Sequence, residues 1–265
     1  MIHIKTPDQI KIMQHAGNIL YDVLMTVLQH AKPGITELEL DQMAEKLIRN
    51  RGGEPGFMRV PNYFHTTCMS TNDTVVHGIP GKYKLQEGDI IGIDCGVYYN
   101  GFHSDMSESV RILNGSPRFY TGFETGGDKI DKFLLIGKKA LNEAIKVARP
   151  HNRIGHISKT IQDIVERQAG YSIVRSLIGH GVGRELHEEP EVPGFLFGNI
   201  QDTPILKEGM TIAVEVIYNM GTPEVRLDKD GWTIKTKDGK LAGLYERTIA
   251  ITNGAPLILT ASTQV

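Results

Sequence analysis

An internal repeat is the feature that most constrains the fold of this 265-residue chain. At a constant offset of 117 positions, helical residues of the first half recur in the second half with the same or similar chemistry. The matches include helix-ending residues as well as apolar ones, among them Leu24 with Leu141, Ala31 with Ala148, Pro33 with Pro150 and Gly53 with Gly170. The order helix, helix, strands therefore occurs twice. It predicts a single domain over 1–265, built as two α/β (α+β) halves, about 1–115 and 128–252, that face each other across one core.

Local signals place the elements of each half. Thr6-Pro7-Asp8-Gln9 is typical of a helix start, with a threonine cap, an early proline and a capping-box glutamine. Thr36 and Glu39 form a second capping box, and its helix is expected to end at Gly52. Further helices are predicted over Asp128–Ala148 and Ile157–Ala169, and the Gly-rich stretch Gly115–Gly127 is predicted to be a loop. The predicted strands are Asp89–Tyr99, His103–Leu113, Tyr171–Ile178, Met210–Tyr218 and Leu244–Thr252.

Composition excludes several classes of protein. The net charge of −2 gives no basic excess that would indicate a nucleic-acid partner. No apolar run approaches the ~18 residues of a membrane span, and the first residues lack the apolar core of a signal peptide. Two cysteines, Cys68 and Cys95, cannot form a disulfide framework. We therefore expect a cytoplasmic protein without a membrane partner, and a monomer because the repeat closes its core within one chain.

Four acids lie inside strand-like apolar runs, where a buried charge needs a partner or a metal. The Asn100-Gly101 pair predicts a two-residue hairpin turn that puts Asp94 opposite Ser107. Asp105 is then a diagonal neighbour of Asp94 on the same face, roughly 7–8 Å away at the backbone. The other two acids are Glu215 and Glu246.

A second match in the repeat relates the acids of the two halves. Leu85–Gly88 matches Leu206–Gly209 at an offset of 121, and the same offset relates Asp94 to Glu215. Solvated edge aspartates are one alternative explanation, and an ion pair between Glu246 and Arg247 is another. Because like charges destabilise a fold unless cations hold them, four acids in four strands favour a central metal site lined from both halves.

Three histidines stand in glycine- or proline-flanked segments: His77 before Gly78, His180 between two glycines, and His187 before Glu188-Glu189-Pro190. Each alone is more typical of a loop residue than of a metal ligand. Histidine is nevertheless the commonest transition-metal ligand among side chains. Two aspartates, two glutamates and one histidine form a mainly oxygen donor set that suits a pair of hard or borderline divalent ions.

Together these motifs resemble those of the type I methionine aminopeptidases of the bacterial kind, and the resemblance covers nearly the whole chain. Only 34 residues separate His180 from Glu215, so the long insertion of the type II enzymes is absent. The resemblance implies the pita-bread fold, with two pseudo-symmetric halves and a curved antiparallel sheet around a dinuclear metal site. The matching segments are Asn72–Pro80, Gly88–Asp94, Gly101–Asp105, Gly179–Gly183, His187–Pro190, Glu208–Glu215, and Asp230–Thr233 with Glu246.

The resemblance also implies a role for individual residues. His77 and His187 would contact the substrate around the scissile bond, and Glu215 would move a proton as well as bind metal. The implied ligands of two divalent cations (Mn, Fe, Co, Zn or Ni) are Asp94, Asp105, His180, Glu215 and Glu246. The implied substrate pocket contains Tyr63, Cys68, Phe57 and Val60, with Trp232 beside the reacting water. Leu186 and Phe64 stand where bacterial relatives often have an aromatic residue and a proline, which bears on the shape of this pocket.

The implied activity is removal of the N-terminal methionine from peptides and nascent proteins whose second residue is small. A hydroxide between two cations would attack the first peptide carbonyl. His187 would stabilise the oxyanion and His77 would help at the leaving amine. Ribosome association is a further expectation from this substrate, without a motif of its own. The alternatives are an X-Pro or other aminopeptidase of the same fold, and a non-catalytic binding module of that fold.

Overall fold

The computed structural model describes residues 1–262, in which helix pairs alternate with antiparallel strands. The helices are α1 (Pro7–Gln29), α2 (Glu37–Asn50), α3 (Lys129–Val147) and α4 (Ile154–Gln162), and α4 continues as a π-helical segment, Asp163–Gln168. The strands are β1 (Glu54–Pro55), β2 (Thr67–Thr71), β3 (Thr74–Val76), β4 (Ile90–Tyr99), β5 (Phe102–Leu113), β6 (Ser116–Arg118), β7 (Ser172–Ile173), β8 (Gly179–Gly181), β9 (Glu188–Val192), β10 (Thr211–Asn219), β11 (Val225–Leu227), β12 (Ile234–Thr236), β13 (Ala242–Ala250) and β14 (Leu257–Ile258). Within the described residues, no helix is both long and apolar enough to cross a membrane.

The predicted helix starts are confirmed for α1, α2 and α3. The Thr6 hydroxyl accepts a hydrogen bond from Gln9 N, and Gln9 Oε1 accepts one from Thr6 N, which closes the capping box. Asp128 caps α3 through its Oδ1. The fourth helix begins at Ile154 instead of the predicted Ile157. Its first turn is held by bonds that sequence does not reveal, such as that from Gly155 N to Thr203 Oγ1.

Two main sheets carry the fold, and each is covered by one helix pair. In the first, the order is β1-β4-β5-β6, β2 also pairs with β4, and α1 and α2 cover the sheet. In the second, the order is β14-β13-β10-β8-β9, β7 also pairs with β10, and α3 and α4 cover the sheet. The predicted hairpin register is confirmed, since Asp94 lies opposite Ser107 and Tyr99 opposite Phe102. A small sheet of order β11-β12-β3 lies beside these two.

The two main sheets meet where β5 and β13 lie side by side. The Thr248 hydroxyl donates to Asp105 O at 2.7 Å and accepts from Asp105 N at 3.0 Å. The Ser109 hydroxyl bonds in the same way to Leu244, at 2.7 Å to the carbonyl and 3.2 Å from the amide. These buried hydroxyls satisfy backbone groups that a strand ladder would otherwise satisfy. They also fix two acid-bearing strands against each other.

Two segment predictions are wrong. The sequence pattern predicts one strand over Tyr171–Ile178, but only Ser172–Ile173 is extended in the sheet, and after Val174 the segment leaves β10 to line a cavity. The glycine-rich composition predicts a loop over Gly115–Gly127, but Ser116–Arg118 pairs with β5 as β6. Tyr120 then enters the core and donates a hydrogen bond to Asp131 Oδ1 at 2.6 Å. In both segments tertiary partners decide the conformation, and the local pattern does not report them.

Candidate metal centre and substrate pocket

The four acids singled out in the sequence converge at the junction of the two sheets. Asp94 lies on β4 and Asp105 on β5, and the pairing of β10 with β13 puts Glu215 directly opposite Glu246. Asp105 and Glu246 are only 4 % and 2 % exposed. His180, on β8, joins this group, with its Nε2 3.5 Å from Glu215 Oε1.

The arrangement fits divalent cations. Donor atoms of Asp105, His180 and Glu246 all lie within 4.8 Å of one another. Asp94 Oδ1 and Glu246 Oε1 are buried and have no hydrogen-bond partner within residues 1–262. Buried carboxylate oxygens without a donor are costly, and cations at this point would satisfy them. Oxygen donors with one imidazole also suit divalent transition metals.

The electrostatics of the cluster agree with this fit. Burial raises the pKa of Asp94 to about 7. Burial, followed by repulsion from neighbouring carboxylates, raises the pKa values of Asp105, Glu215 and Glu246 well above their usual range. Ionising all four carboxyls at this separation costs free energy unless positive charge lies among them. The cluster therefore needs positive charge that its own side chains do not supply.

His180 is held in the form that binds metals. Burial, with a smaller effect of the nearby His187, lowers the pKa of His180 to about 4, so the ring is neutral at pH 7. Its Nδ1 lies 2.8 Å from Gly181 O and donates to it as the neutral ring, which leaves the Nε2 lone pair facing Glu215. A backbone carbonyl that fixes the tautomer in this way is typical of ligating histidines.

Arg247 does not neutralise the cluster, so the alternative of a Glu246–Arg247 ion pair is wrong. Neighbouring residues of a strand point to opposite faces. The Arg247 guanidinium accordingly pairs with Glu108 and donates to Ser107 O at 3.0 Å. Lys138 also pairs with Glu108, at 2.6 Å. The positive charges of Arg247 and Lys138 are thus paired with Glu108, and Glu246 is left facing the cavity.

Two more histidines lie beside the acids. The ring of His187 packs edge-on against that of His180, with 4.3 Å between centroids. His77 follows β3 with a φ of +55°. A Cβ at Gly78 would lie 1.9 Å from Met69 O, so only glycine lets the chain after His77 lie against β2. Burial lowers the pKa values of both histidines, and each neutral ring can donate one hydrogen bond into the cavity.

An apolar cavity of about 330 Å³ opens against the acids. Phe57, Tyr63, Cys68 and Leu186 form a buried cluster around it, with Val60 and Trp232 packed against them. The Tyr63 hydroxyl donates to Thr67 O at 2.7 Å and lies 3.2 Å from Cys68 Sγ. Such a pocket, with a few polar groups in an apolar wall, suits an apolar side chain of moderate size. Phe64 instead points to solvent, so of the two departures only Leu186 shapes the pocket.

A compact turn places Trp232 at this cavity. Asp230 Oδ1 accepts hydrogen bonds from Trp232 N and Thr233 N at 2.9 and 2.8 Å. The hydroxyl of Thr233 in turn accepts one from Ile79 N at 3.3 Å, which joins this turn to the segment after His77. The indole ring then packs edge-on against Tyr63, with 5.1 Å between centroids.

Part of the cavity wall carried no signal in the sequence. Ser176, Leu177 and Ile178 line it, although the pattern of their segment predicted a strand. A second, more open cavity of about 970 Å³ adjoins the first and shares Val60, Leu186 and His187 with it. His103, which is also buried, lies in its wall beside Tyr98.

Comparison with known proteins identifies the class. Residues 11–253 match the model of metallopeptidase family M24, and the chain belongs to that family. It is therefore a metallopeptidase, whose activity depends on a divalent cation. Among the described residues, Asp105, His180 and Glu246 form a group that could hold one.

The names of the similar proteins give a more specific activity than the family does. The chain is 41 % identical over 260 residues to a methionine aminopeptidase of Clostridium perfringens, covering 98 % of this chain and 99 % of that one. It is 39 % identical over 260 residues to methionine aminopeptidase 1 of Bacillus subtilis, again covering 98 % and 99 %. The crystal structure of a methionine aminopeptidase from Thermotoga maritima superposes with a TM-score of 0.90 at 34 % identity, over 99 % of this chain and all of that one. The predicted pita-bread fold and the resemblance to bacterial methionine aminopeptidases are thereby confirmed.

Proposed function

We propose that this chain removes the N-terminal methionine from peptides and nascent proteins whose second residue is small. The observation that carries the proposal is the apolar cavity, which contains Cys68 and ends directly against the acid cluster. A flexible thioether fits such a wall of aromatic, aliphatic and sulfur groups. The relatives named as methionine aminopeptidases support the same conclusion.

The ligand set proposed for two divalent cations is Asp94, Asp105, His180, Glu215 and Glu246. Divalent cations held by these residues would lower the pKa of a water molecule, which would then be a nucleophile near neutral pH. The orphaned oxygens of Asp94 and Glu246 and the neutral ring of His180 support this assignment. The donor chemistry admits Mn, Fe, Co, Zn or Ni.

The remaining polar groups act on the scissile peptide. His187, neutral and next to His180, donates a hydrogen bond to the oxygen that gains negative charge when the first carbonyl is attacked. His77 donates to the peptide group on the leaving side. Glu215 receives the proton of the nucleophile and passes it to the leaving amine nitrogen. The imidazoles of His77 and His187 would flank the second residue of the substrate, so a small side chain fits best there.

The second cavity gives the rest of the substrate a path. It continues from His187 and Leu186 and is open to solvent along Arg59 and Tyr98. A chain bound with its methionine in the first cavity would leave through it. This geometry supports nascent proteins as substrates as well as short peptides, acting in the cytoplasm, where two free buried cysteines are stable. We retain a monomer and ribosome association as proposals.

A peptide assay on metal-stripped protein tests the function. Met-Gly-Met-Met and Ala-Pro-Gly are offered separately, with and without Mn²⁺ or Co²⁺. Release of free methionine only with metal is the expected result. Cleavage of Ala-Pro-Gly instead would keep the metal site and replace the substrate. No cleavage of either peptide by metal-loaded protein would contradict the proposal and favour a binding role.

A further inference from the structure

A buried ion pair joins the segment before α1 to the segment that carries His187. Lys5 Nζ lies 2.5 Å from Glu188 Oε2, and the two side chains are only 4 % and 6 % exposed. Buried lysines and glutamates are rare unless paired. Glu188 directly follows His187 and opens β9, whose first residue pairs with Gly181, next to His180. The pair is therefore linked through the backbone to His187 and, across the β8–β9 pairing, to the neighbour of His180.

The backbone of Lys5 is fixed independently of this pair. Lys5 N donates to Gly209 O at 2.8 Å, in the turn that leads into β10. Gly209 has a φ of +84°, and a Cβ there would lie 2.8 Å from Lys5 O. The lysine is thus anchored to the turn directly before β10, the strand that carries Glu215. Its ammonium group can hold a neighbouring segment at a fixed distance from that strand.

The loop before β9 is shaped around the same ion pair. A Cβ at Gly183 would lie 2.5 Å from Lys5 Cε and 2.6 Å from Glu188 Oε1, so a side chain there would displace the two partners from their present contact. Glu188 Oε1 also accepts a hydrogen bond from Glu185 N at 3.3 Å. Glu188, at the end of the 183–188 loop, is consequently tied to Glu185 within the loop and to Lys5 outside it. This accounts for the last glycine of the Gly179–Gly183 motif, which the metal centre does not use.

We propose that Lys5 is a positioning residue for His187, an inference that rests on the function proposed above. Lys5 holds Glu188, and Glu188 holds the adjacent His187 with its ring against His180. Without the ammonium group, the Glu188 carboxylate would be buried without a cation and would move toward water. His187 would move with it, away from the scissile carbonyl. Misplacement by about 1 Å is enough to lower a rate about 10²-fold.

The test measures methionine release from Met-Gly-Met-Met by Lys5→Met, Lys5→Arg and wild type, all loaded with Mn²⁺. In Lys5→Met we expect kcat to fall about 10- to 100-fold, with KM within about twofold and the bound metal unchanged. Lys5→Arg keeps the charge and should recover most of the kcat. Lys11→Met is the matched control, since Lys11 is exposed on α1 and pairs with Asp8 of the same helix.

The decisive comparison repeats Lys5→Met in the His187→Ala background. If Lys5 acts through His187, the second substitution lowers kcat no further. An equal fold-loss in both backgrounds would overturn the inference, because Lys5 would then support the fold in general. Should Lys5→Met fail to fold, Lys5→Met with Glu188→Gln removes both charges and enters the same comparison. Wild-type kcat in that double variant would also overturn it.

The two proposals fail in different ways. Metal-loaded wild type that releases no methionine contradicts the proposed function and, with it, the role of Lys5. If wild type is active, two outcomes contradict the role of Lys5 alone. One is that the losses of kcat in Lys5→Met and His187→Ala are additive, and the other is that Lys5→Met is as active as Lys11→Met.

Discussion

At the scale of single residues, the centre depends on acids placed where an isolated acid would destabilise the fold. Asp94 could be predicted from the sequence as a strand residue beside Asp105, because hairpin register follows from the Asn100-Gly101 turn. Its lack of a protein partner could not be predicted. The same holds for Glu246, whose candidate partner Arg247 pairs instead with a competing anion, Glu108.

Asp94→Asn is an isosteric change that tests two roles of the Asp94 charge: binding of metal, and destabilisation of the fold when metal is absent. We expect methionine release to fall about 10³-fold or more, with loss of bound metal. Without metal, the variant should melt at a higher temperature than equally stripped wild type, because a buried acid has been removed from a crowded cluster. Metal analysis, peptide assay and thermal melting measure the three effects, with exposed Asp202→Asn as control. Full metal content in the variant would contradict the ligand role.

His187→Ala separates substrate chemistry from metal binding. Its loss should lower kcat about 10²-fold, the usual effect of removing one donor to an oxyanion, while the metal content stays at the wild-type level. His30→Ala serves as control, because His30 is exposed and its Nδ1 contacts only the last turn of α1, at Thr26 O. Loss of metal in His187→Ala would show that His187 supports the ligands and not the reacting carbonyl.

At the scale of elements, prediction succeeds where local chemistry decides and fails where a distant partner does. The caps of α1, α2 and α3 involve residues within three positions of one another. Tyr171–Ile178 has a strand-like composition, but β10 pairs only with its second and third residues. Its last three residues, Ser176–Ile178, line the cavity instead. A one-dimensional pattern distinguishes apolar from polar residues, but it does not say which apolar surface they will contact.

Gly137 illustrates a contact of this kind between α3 and the second sheet. A Cβ on Gly137 would lie 2.3 Å from the Tyr218 hydroxyl, which donates to Phe133 O. We expect Gly137→Ala to lower the free energy of unfolding by about 1–3 kcal/mol through overpacking, although alanine favours helices by ~1 kcal/mol. Urea denaturation measures the change. Gly254→Ala, with no atom within 4 Å of the new Cβ, should stay within about 0.5 kcal/mol of wild type. Equal stability of the two variants would contradict the close packing.

At the scale of the whole molecule, the site exists only because two sheets meet. Asp94 and Asp105 come from one sheet, and His180, Glu215 and Glu246 come from the other. The repeat predicts this meeting in outline, and a duplication of the halves 1–115 and 128–252 remains a prediction. The hydroxyls of Ser109 and Thr248 that join β5 to β13 had no signal in the sequence, because small polar residues in strands have many uses.

Metal removal should therefore affect the stability of the whole domain, and more strongly as pH rises. In chelated protein, burial raises the pKa of Asp94 from 3.8 to about 7, and burial with mutual repulsion raises those of Asp105, Glu215 and Glu246. An acid whose pKa is raised on folding binds its proton more tightly in the folded state. Its stabilising contribution is complete below the unfolded value, about 4, and is lost as pH rises through the folded value.

We accordingly expect Tm of stripped protein to fall between pH 5 and pH 8, over and above any change in metal-loaded protein. Bound cations hold the carboxylates ionised, so the gap in Tm between loaded and stripped protein should widen as pH rises. Calorimetry of both forms at pH 5.5, 6.5 and 7.5 measures the gap. Asp94→Asn should weaken the pH dependence of the stripped form, because one of the raised carboxyls is gone. A gap that stays constant, or narrows toward pH 7.5, would mean that the cluster is not the source of the coupling between metal binding and folding.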